Sequence, residues 1–160
     1  MIFVTTGTQL PFPRLIDAME AIAAKSDERI LAQTGAETGA AARWPHLELH
    51  STLRPEAFEA AFREARLIVG HAGIGTVLSA QRFRKPLILL PRRTALGEHR
   101  NDHQMATARQ LDGRQGLTIA WEADALAALV AETGQPPMGG ADAAPALADF
   151  LTRLSRIIAQ

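Results

Sequence analysis

The sequence contains no cysteine, which excludes both a disulfide framework and a cysteine metal site. A lack of cysteine is typical of proteins in a reducing compartment. The formal net charge is zero, because lysine and arginine together number 17, as do aspartate and glutamate together. A general nucleic-acid-binding protein needs a basic face to meet phosphates, so this balance argues against that class while allowing one local basic patch. We therefore expect no nucleic-acid partner.

Long apolar runs are absent as well. No window holds eighteen consecutive apolar residues, the length that predicts a membrane-spanning helix. The opening "MIFVTTGTQ" has no basic segment, extended apolar segment or cleavage site, so it does not predict a signal peptide. We therefore expect a cytoplasmic protein that reaches a membrane only through a partner.

What the sequence does contain is a regular alternation of strand-like and helix-like segments over 160 residues, enough for one α/β domain with a core. The strand-like runs, such as "IFVTT" and "PLILLP", are apolar on both faces, which is typical of parallel strands covered by helices on both sides. About six strands are predicted. The expected fold class is α/β, a Rossmann-like, doubly wound open parallel sheet with right-handed crossovers.

Three parts are predicted along the chain. Residues 1–132 form the α/β domain, and residues 133–145, "TGQPPMGGADAAP", have the composition of a linker. Residues 146–160 carry one apolar stripe and are predicted to form an amphipathic helix, which either packs on its own domain or docks on another chain. The stripe consists of Leu147, Phe150, Leu151, Leu154, Ile157 and Ile158.

Unusual loops follow three of the predicted strands. They are "TTGTQLPF" after the first strand, "GHAGIGT" after residues 67–69, and "PRRTALGEHRNDHQ" after "LILL". Ligands of doubly wound sheets bind beyond the carboxyl ends of the strands, so all three loops are expected on one edge. Their convergence is more informative than any one loop alone.

The loop "GHAGIGT" has the features of an anion site. Gly73 and Gly75 allow positive φ and a close approach of the backbone to a ligand. A helix is expected to begin around Gly75 or Thr76, where its free N–H groups and dipole favour an anion such as a diphosphate. The alternative is a tight strand-to-helix turn that His71 merely caps.

Several common motifs are absent from these loops. No Lys-Ser or Lys-Thr pair follows the glycines, so the P-loop pattern is missing, and "TGTQ" lacks the third glycine and the acid of a dinucleotide site. No Gly-x-Ser-x-Gly elbow supports serine-hydrolase chemistry. His71, His99 and His103 have no carboxylates at metal-ligand spacing, so we expect no metal site.

The third loop is dense in hydrogen-bonding side chains. Its arginines and histidines suit phosphate or a carboxylate, and its amides suit hydroxyl groups. The alternative is a solvated loop with local ion pairs. The residues concerned are Arg92, Arg93, Glu98, His99, Arg100, Asn101, Asp102, His103 and Gln104.

Three segments together resemble a known family. They are "FVTTGTQLPFPRLI", "HAGIGTVLSA" and "KPLILLPRR...GEHRNDHQMATA". In this order they are similar to the donor-binding half of GT-B glycosyltransferases related to MurG, the family 28 C-terminal type. The chain most resembles small subunits of two-part enzymes. One is the cytosolic subunit of the eukaryotic N-acetylglucosaminyltransferase that makes lipid-linked chitobiose. Closer still are the bacterial exopolysaccharide subunits called PssE. The resemblance covers roughly residues 1–130.

By this resemblance the chain binds a UDP-sugar. The helix N-terminus would hold the diphosphate, His71 would contact phosphate or sugar, the first loop would line the opposite wall, and the third loop would contact sugar hydroxyls. Ser79 is a departure, because the wider family has a glutamate there that holds the ribose hydroxyls. The implied binding residues are Gly7, Thr8, Gln9, His71, Ala72, Gly73, Ile74, Gly75, Thr76, Ser79, Arg92, His99, Arg100, Asn101, His103 and Gln104, with Leu53 and Arg54 near the uracil edge.

The implied reaction is inverting transfer of a sugar from UDP to a polyprenyl-diphosphate-linked saccharide in exopolysaccharide synthesis, with no cofactor and no tightly bound metal. Glu98 and His99 are the local candidates for the general base, and the alternative is a base in the partner. Resemblance to PssE suggests UDP-glucuronate as donor, with Arg92, Arg93 or Arg100 pairing with its carboxylate. UDP-galactose and UDP-glucose stay open.

The resemblance also implies a partner. A GT-B enzyme has two Rossmann-like halves, and this chain starts at the first strand of the donor half. The acceptor half would then be a membrane-anchored, PssD-like subunit that presents the lipid-linked acceptor and keeps this chain at the inner membrane. Two alternatives remain: a non-catalytic stabilising subunit, and a standalone nucleotide-dependent enzyme.

Overall fold

Six short parallel strands form a single sheet in the computed structural model of the chain, which confirms the predicted fold class. The structure describes residues 1–35, 42–132 and 134–139, together with Asp149. The strands are β1 (Ile2–Thr5), β2 (Ile30–Gln33), β3 (Glu48–His50), β4 (Leu67–His71), β5 (Leu87–Leu90) and β6 (Leu117–Ile119).

In the described residues before Asp149, five α-helices connect or follow these strands. They are α1 (Pro13–Ala23), α2 (Pro55–Glu64), α3 (Ile74–Arg82), α4 (His103–Leu111) and α5 (Leu126–Ala131). Proline stands at the start of α1 and α2, where its missing N–H has no partner to lose and its fixed φ suits the helix. Helix α3 begins at Ile74, slightly before the start predicted from the sequence. A short 3₁₀ helix, Thr94–Leu96, lies in the loop that was predicted to be irregular.

Two apolar cores lie on opposite faces of the sheet. On one face, residues such as Leu15 and Met19 of α1 pack with Ile88 of β5 and Leu126 of α5. On the other, Phe62 of α2 and Val77 of α3 pack with Phe3 of β1. Every residue of β1, β2 and β5 is buried, as expected for strands covered on both sides. The two-sided apolar pattern of the strands therefore reflects these two cores.

The order of strands in the sheet is β3-β2-β1-β4-β5-β6, with all pairs parallel. This is the doubly wound order, whose direction of winding reverses between β1 and β4. The chain leaves β1 for a helix on one face and leaves β4 for a helix on the other. A crevice therefore opens between the carboxyl ends of these two strands, which are the ends that carry "TTGTQ" and "GHAGIGT".

Most of residues 133–160 lies outside the described residues, including the predicted helix over 146–160 apart from Asp149, which is helical and exposed. Within the predicted linker, residues 134–139 form neither helix nor strand. Met138 is buried in the core. Its backbone passes so close to Gly116 that a side chain at position 116 would overlap it. In the part of the chain that is described, no helix is long and apolar enough to cross a membrane.

Candidate functional site

The ring of His71 lies between two glycines, one from each side of the crevice. His71 is the last residue of β4. A Cβ on Gly7 would come within 3.0 Å of its Cε1, and a Cβ on Gly73 would overlap its Nε2. Gly7 also has a φ of +78°, a backbone conformation that favours glycine. His71 and the two glycines thus form one packed unit that joins the β1–α1 loop to the start of α3.

The imidazole of His71 is held neutral. Burial is the main cause that lowers its pKa from 6.5 to about 4, and the nearby positive charge of Arg92 lowers it further. The carbonyl of Thr5 acts weakly in the opposite direction, and His99 adds a small lowering effect. Nδ1 is buried and has no hydrogen-bond partner among the described residues. Because His71 is only partly buried and a neutral imidazole has one donor and one acceptor nitrogen, the ring can offer a hydrogen bond to a group that enters the crevice.

The N-terminus of α3 opens next to this ring. Gly73 is the residue before the helix, and its carbonyl accepts hydrogen bonds from the amides of Thr76 and Val77. Within the described chain, the amides of Ile74 and Gly75 donate to no other group, and no side chain caps the helix. Two free N–H groups and the positive end of the helix dipole therefore face the crevice, the arrangement that binds phosphate.

Gly75 stands apart from its neighbours because a Cβ there would meet no described residue within 4 Å. Packing against the described residues does not require glycine at this position, and glycine weakens the first turn of a helix relative to alanine. The missing side chain leaves open space above the two free amides. A ligand can therefore approach the backbone closely at this point.

Arg92 follows β5 and is 2% exposed. Its guanidinium donates to the carbonyl oxygens of Thr6 (2.8 Å), Leu10 (2.6 Å) and Pro11 (2.5 Å). A fourth, longer bond of 3.3 Å reaches the carbonyl of Glu98. This differs from the predicted contact with substrate, because these N–H groups are already used by the backbone of the β1–α1 loop. The guanidinium holds that loop in place.

Glu98 is similarly occupied. Arg14 of α1 grips its carboxylate through two bonds, of 2.6 and 2.8 Å, and the amide of Arg93 donates to the same carboxylate at 2.9 Å. The carboxylate is 10% exposed and the Arg14 side chain 20%. Glu98 therefore links α1 to the β5–α4 loop, and its role as general base stays a prediction.

The rest of the third loop is folded on itself. Nδ1 of His99 lies 3.2 Å from the carbonyl of Asn101, and Oδ1 of Asn101 accepts the amide of His103 at the start of α4. The buried Gln104 side chain accepts the amide of Arg92 through Oε1. The amide of Thr94 donates to exposed Asp102, and hydrogen bonding to Thr94 keeps the pKa of that carboxyl below its usual value. The loop is thus internally ordered, which weakens the alternative of a merely solvated loop.

Several predicted residues remain on the surface of the crevice. Thr8 and Gln9 are exposed on the β1–α1 loop, Arg100 is exposed on the third loop, and Ser79 is partly buried on α3. Thr8, Gln9 and Arg100 are therefore accessible to a ligand, whereas Ala72 and Thr76 are buried.

Two residues that shape the site were missed by sequence reasoning. Gly35, with a φ of +66°, lies after β2, and a Cβ there would come within 2.6 Å of the Gly7 carbonyl. The ring of Phe12 lies 4.4 Å from the guanidinium carbon of Arg92. Phe12 is fully buried, and nothing in its local sequence distinguishes it from a core phenylalanine.

Other features lie away from the crevice. A cavity of about 810 Å³ lies on one face of the sheet rather than at its carboxyl edge, and it is lined by residues of α1 and α5 that include Ala18, Ile22 and Val130. Among the residues that the structure covers, no three histidine, aspartate or glutamate side chains are grouped closely enough to hold a metal ion.

Comparison with known proteins agrees with the fold. The model of the family described as "Glycosyltransferase family 28 C-terminal domain" matches residues 1–151. No curated protein matches the sequence.

Solved structures share the fold at low identity. MurG of Acinetobacter baumannii is 20% identical with a TM-score of 0.60, over 80% of this chain and 39% of that one. The glycosyltransferase of kitacinnamycin is 21% identical with a TM-score of 0.61, over 97% of this chain and 38% of that one. The solution structure of ALG13 is 18% identical with a TM-score of 0.57, over 86% of this chain and 87% of that one. The chain thus spans about two fifths of the first two proteins and most of the third.

Proposed function

The chain belongs to the family of glycosyltransferase family 28 C-terminal domains, and from this we propose that it is the UDP-sugar-binding part of a two-part inverting glycosyltransferase. In this proposal the diphosphate of the donor binds at the N-terminus of α3. His71 lies beneath it, and the exposed Thr8 and Gln9 of the β1–α1 loop face it across the crevice.

The observation that carries the proposal is the pair of free amides at Ile74 and Gly75 beside a glycine that packing does not require. Free N–H groups at a helix N-terminus bind phosphate through hydrogen bonds and through the helix dipole. Gly75 leaves room for phosphate oxygens to reach them. This N-terminus lies at the point where the winding of the sheet reverses. Doubly wound folds bind nucleotides at that point.

The same groups would assist the reaction itself. When the acceptor hydroxyl attacks the anomeric carbon, the bond from that carbon to the diphosphate oxygen breaks, and negative charge grows on the leaving UDP. Donors that are already aimed at this position stabilise that charge without reorganising. His71, which is neutral in the free chain, can donate one further hydrogen bond to the diphosphate.

The acceptor hydroxyl must lose its proton to a general base. Glu98 is bonded to Arg14, and its role as general base stays a prediction. His99 is the other local candidate, and the partner is the alternative source. The donor sugar is proposed to be glucuronate or a neutral hexose. Exposed Arg100 is the arginine best placed for a sugar carboxylate, since Arg92 is buried and Arg93 contacts Trp121 and Glu122.

A partner would complete the cleft. We propose a membrane-anchored subunit of PssD type that presents a lipid-linked saccharide for exopolysaccharide synthesis and holds this chain at the inner membrane. Residues 146–160 are the proposed docking element. Removing them should abolish co-purification of the partner while the circular dichroism of the domain is kept, and unchanged co-purification would overturn this assignment.

Calorimetry tests the proposed binding function. Wild-type protein is titrated with UDP, UDP-glucuronate, UDP-glucose and UDP-galactose, and with uridine as a control that lacks the diphosphate. We expect UDP and at least one UDP-sugar to bind, and uridine to bind at least about ten-fold more weakly, a loss of about 1.4 kcal/mol. Failure of every UDP compound to bind, with the partner present, would contradict the proposal.

A further inference from the structure

Arg92 lies where the three loops of the crevice meet, and the following inference, which rests on the proposed function, concerns its role there. Its own amide is held by Gln104 of α4, and its guanidinium reaches three carbonyls of the β1–α1 loop. Its charge acts on His71 at the end of β4. One side chain therefore touches or influences every loop that the proposed donor site uses.

Three carbonyl oxygens of the β1–α1 loop need hydrogen-bond donors, and Arg92 supplies them. The oxygens of Thr6, Leu10 and Pro11 converge on one point in a loop that borders a proposed anion site. Left unpaired, such oxygens would repel a diphosphate and would be costly to bury. With the longer bond to the Glu98 carbonyl, the guanidinium meets four carbonyl acceptors. A planar guanidinium has five donors in a fixed fork, whereas a lysine ammonium has only three. The ring of Phe12 keeps the guanidinium in this position, 4.4 Å away.

We propose that Arg92 is a positioning residue of the donor site, which fixes the β1–α1 loop against the N-terminus of α3 without touching the donor. By holding Thr6, Leu10 and Pro11, it sets where the loop carries Thr8 and Gln9. It also fixes the contact between Gly7 and the His71 ring. Its second effect is electrostatic, since its charge discourages protonation of His71.

Two substitutions separate the hydrogen bonds from the charge. Arg92→Lys keeps the positive charge but has fewer donors and no planar shape. Arg92→Met loses the charge and all the donors. Arg109→Lys, on the exposed side of α4, is the matched control. We expect Arg92→Lys to weaken UDP binding by about ten-fold or more, since small misplacements of positioning groups cost factors of that order. Arg109→Lys should bind UDP as the wild type does.

The pKa of His71 is a second measurement, and it would not change if Arg92 had a purely structural role. Among the described residues, the charged or titratable groups that act on His71 are Arg92 and His99. A titration of the His71 ring, followed by nuclear magnetic resonance, should give a higher pKa in Arg92→Met than in the wild type. In Arg92→Lys the pKa should stay low, because the charge is kept. Burial remains in both variants, so the pKa in Arg92→Met should stay below 6.5.

The outcomes separate the two proposals. If Arg92→Lys folds and binds UDP as tightly as the wild type, Arg92 does not position the loop. If the pKa of His71 is the same in Arg92→Met as in the wild type, the electrostatic part is wrong. If the wild type itself binds no UDP compound, the proposed function fails, whereas the titration of His71 needs no ligand and still tests the effect of the charge.

Discussion

His71 makes the stability of the fold sensitive to acid. Its pKa falls from 6.5 to about 4 on folding, so between these two pH values the unfolded chain binds more protons than the folded chain. The free energy of unfolding must therefore decrease as pH falls through this range, by at most about 3 kcal/mol from this residue. Well above pH 6.5 the side chain is neutral in both states and makes no such difference.

Replacing His71 by glutamine should flatten this dependence. Glutamine cannot take up the proton, so the variant should lose less stability than the wild type between pH 7 and pH 4.5. Urea denaturation at both pH values measures the difference, and the other titrating groups cancel in the comparison. Equal losses in the two proteins would show that His71 is not held neutral.

Gly73 and Gly75 should respond in opposite ways to alanine. A methyl group at Gly73 overlaps the His71 ring, so Gly73→Ala should lower the melting temperature. A methyl group at Gly75 meets open space in the first turn of a helix, so Gly75→Ala should keep or raise stability by up to about 1 kcal/mol.

For UDP binding, unlike stability, Gly75 should be the more important of the two glycines. Because the Gly75 methyl would stand above the free amides, Gly75→Ala should weaken UDP binding in calorimetry although the fold is intact. A stable Gly75→Ala protein with wild-type affinity for UDP would exclude close approach of the diphosphate at this residue.

At the scale of elements, the third loop is fixed to α1 by the pair of Arg14 and Glu98. Their bidentate contact is largely shielded from solvent, so breaking it should cost roughly 1–3 kcal/mol. The two roles considered for Glu98, clamp and general base, predict different effects of substituting this pair. If Glu98 is a clamp, Glu98→Gln and Arg14→Met should lower stability and UDP affinity by similar amounts.

Turnover by the complete enzyme distinguishes the two roles further. A double-mutant cycle should show that the two substitutions are strongly non-additive, because each removes the same contact. If Glu98→Gln abolished turnover with normal stability and UDP binding, whereas Arg14→Met remained active, Glu98 would be the base after all.

Elements were easier to predict from the sequence than their mutual contacts. Apolar runs such as "PLILLP" and proline at the first helical turn depend on neighbours in the chain, so six strands and the helices could be placed from the sequence. The partners of Arg92 lie more than eighty residues away in the β1–α1 loop. An arginine that binds phosphate and one that binds backbone carbonyls look the same in the sequence, and only the fold separates them.

At the scale of the whole molecule, the winding of the sheet decides where the site lies. Strands β1 and β4 are neighbours in space although 61 residues lie between Thr5 and Leu67, and their helices leave on opposite faces. The loops that the sequence analysis selected therefore meet at one crevice. The glycines explain the role of His71: its ring fills the space that Gly7 and Gly73 leave, and it joins the two walls of that crevice.

The most direct test of the account is a titration of isotope-labelled protein with UDP, followed through the backbone amide signals. The account predicts that the amides of Ile74 and Gly75 shift most, together with those of Thr8 and Gln9 across the crevice, along one saturable curve. Signals from the C-terminal turns of α2 and α5, which lie toward the amino edge of the sheet, should stay in place. Saturable shifts confined to another surface, or no shifts up to millimolar UDP, would contradict the claim that the N-terminus of α3 binds the donor diphosphate.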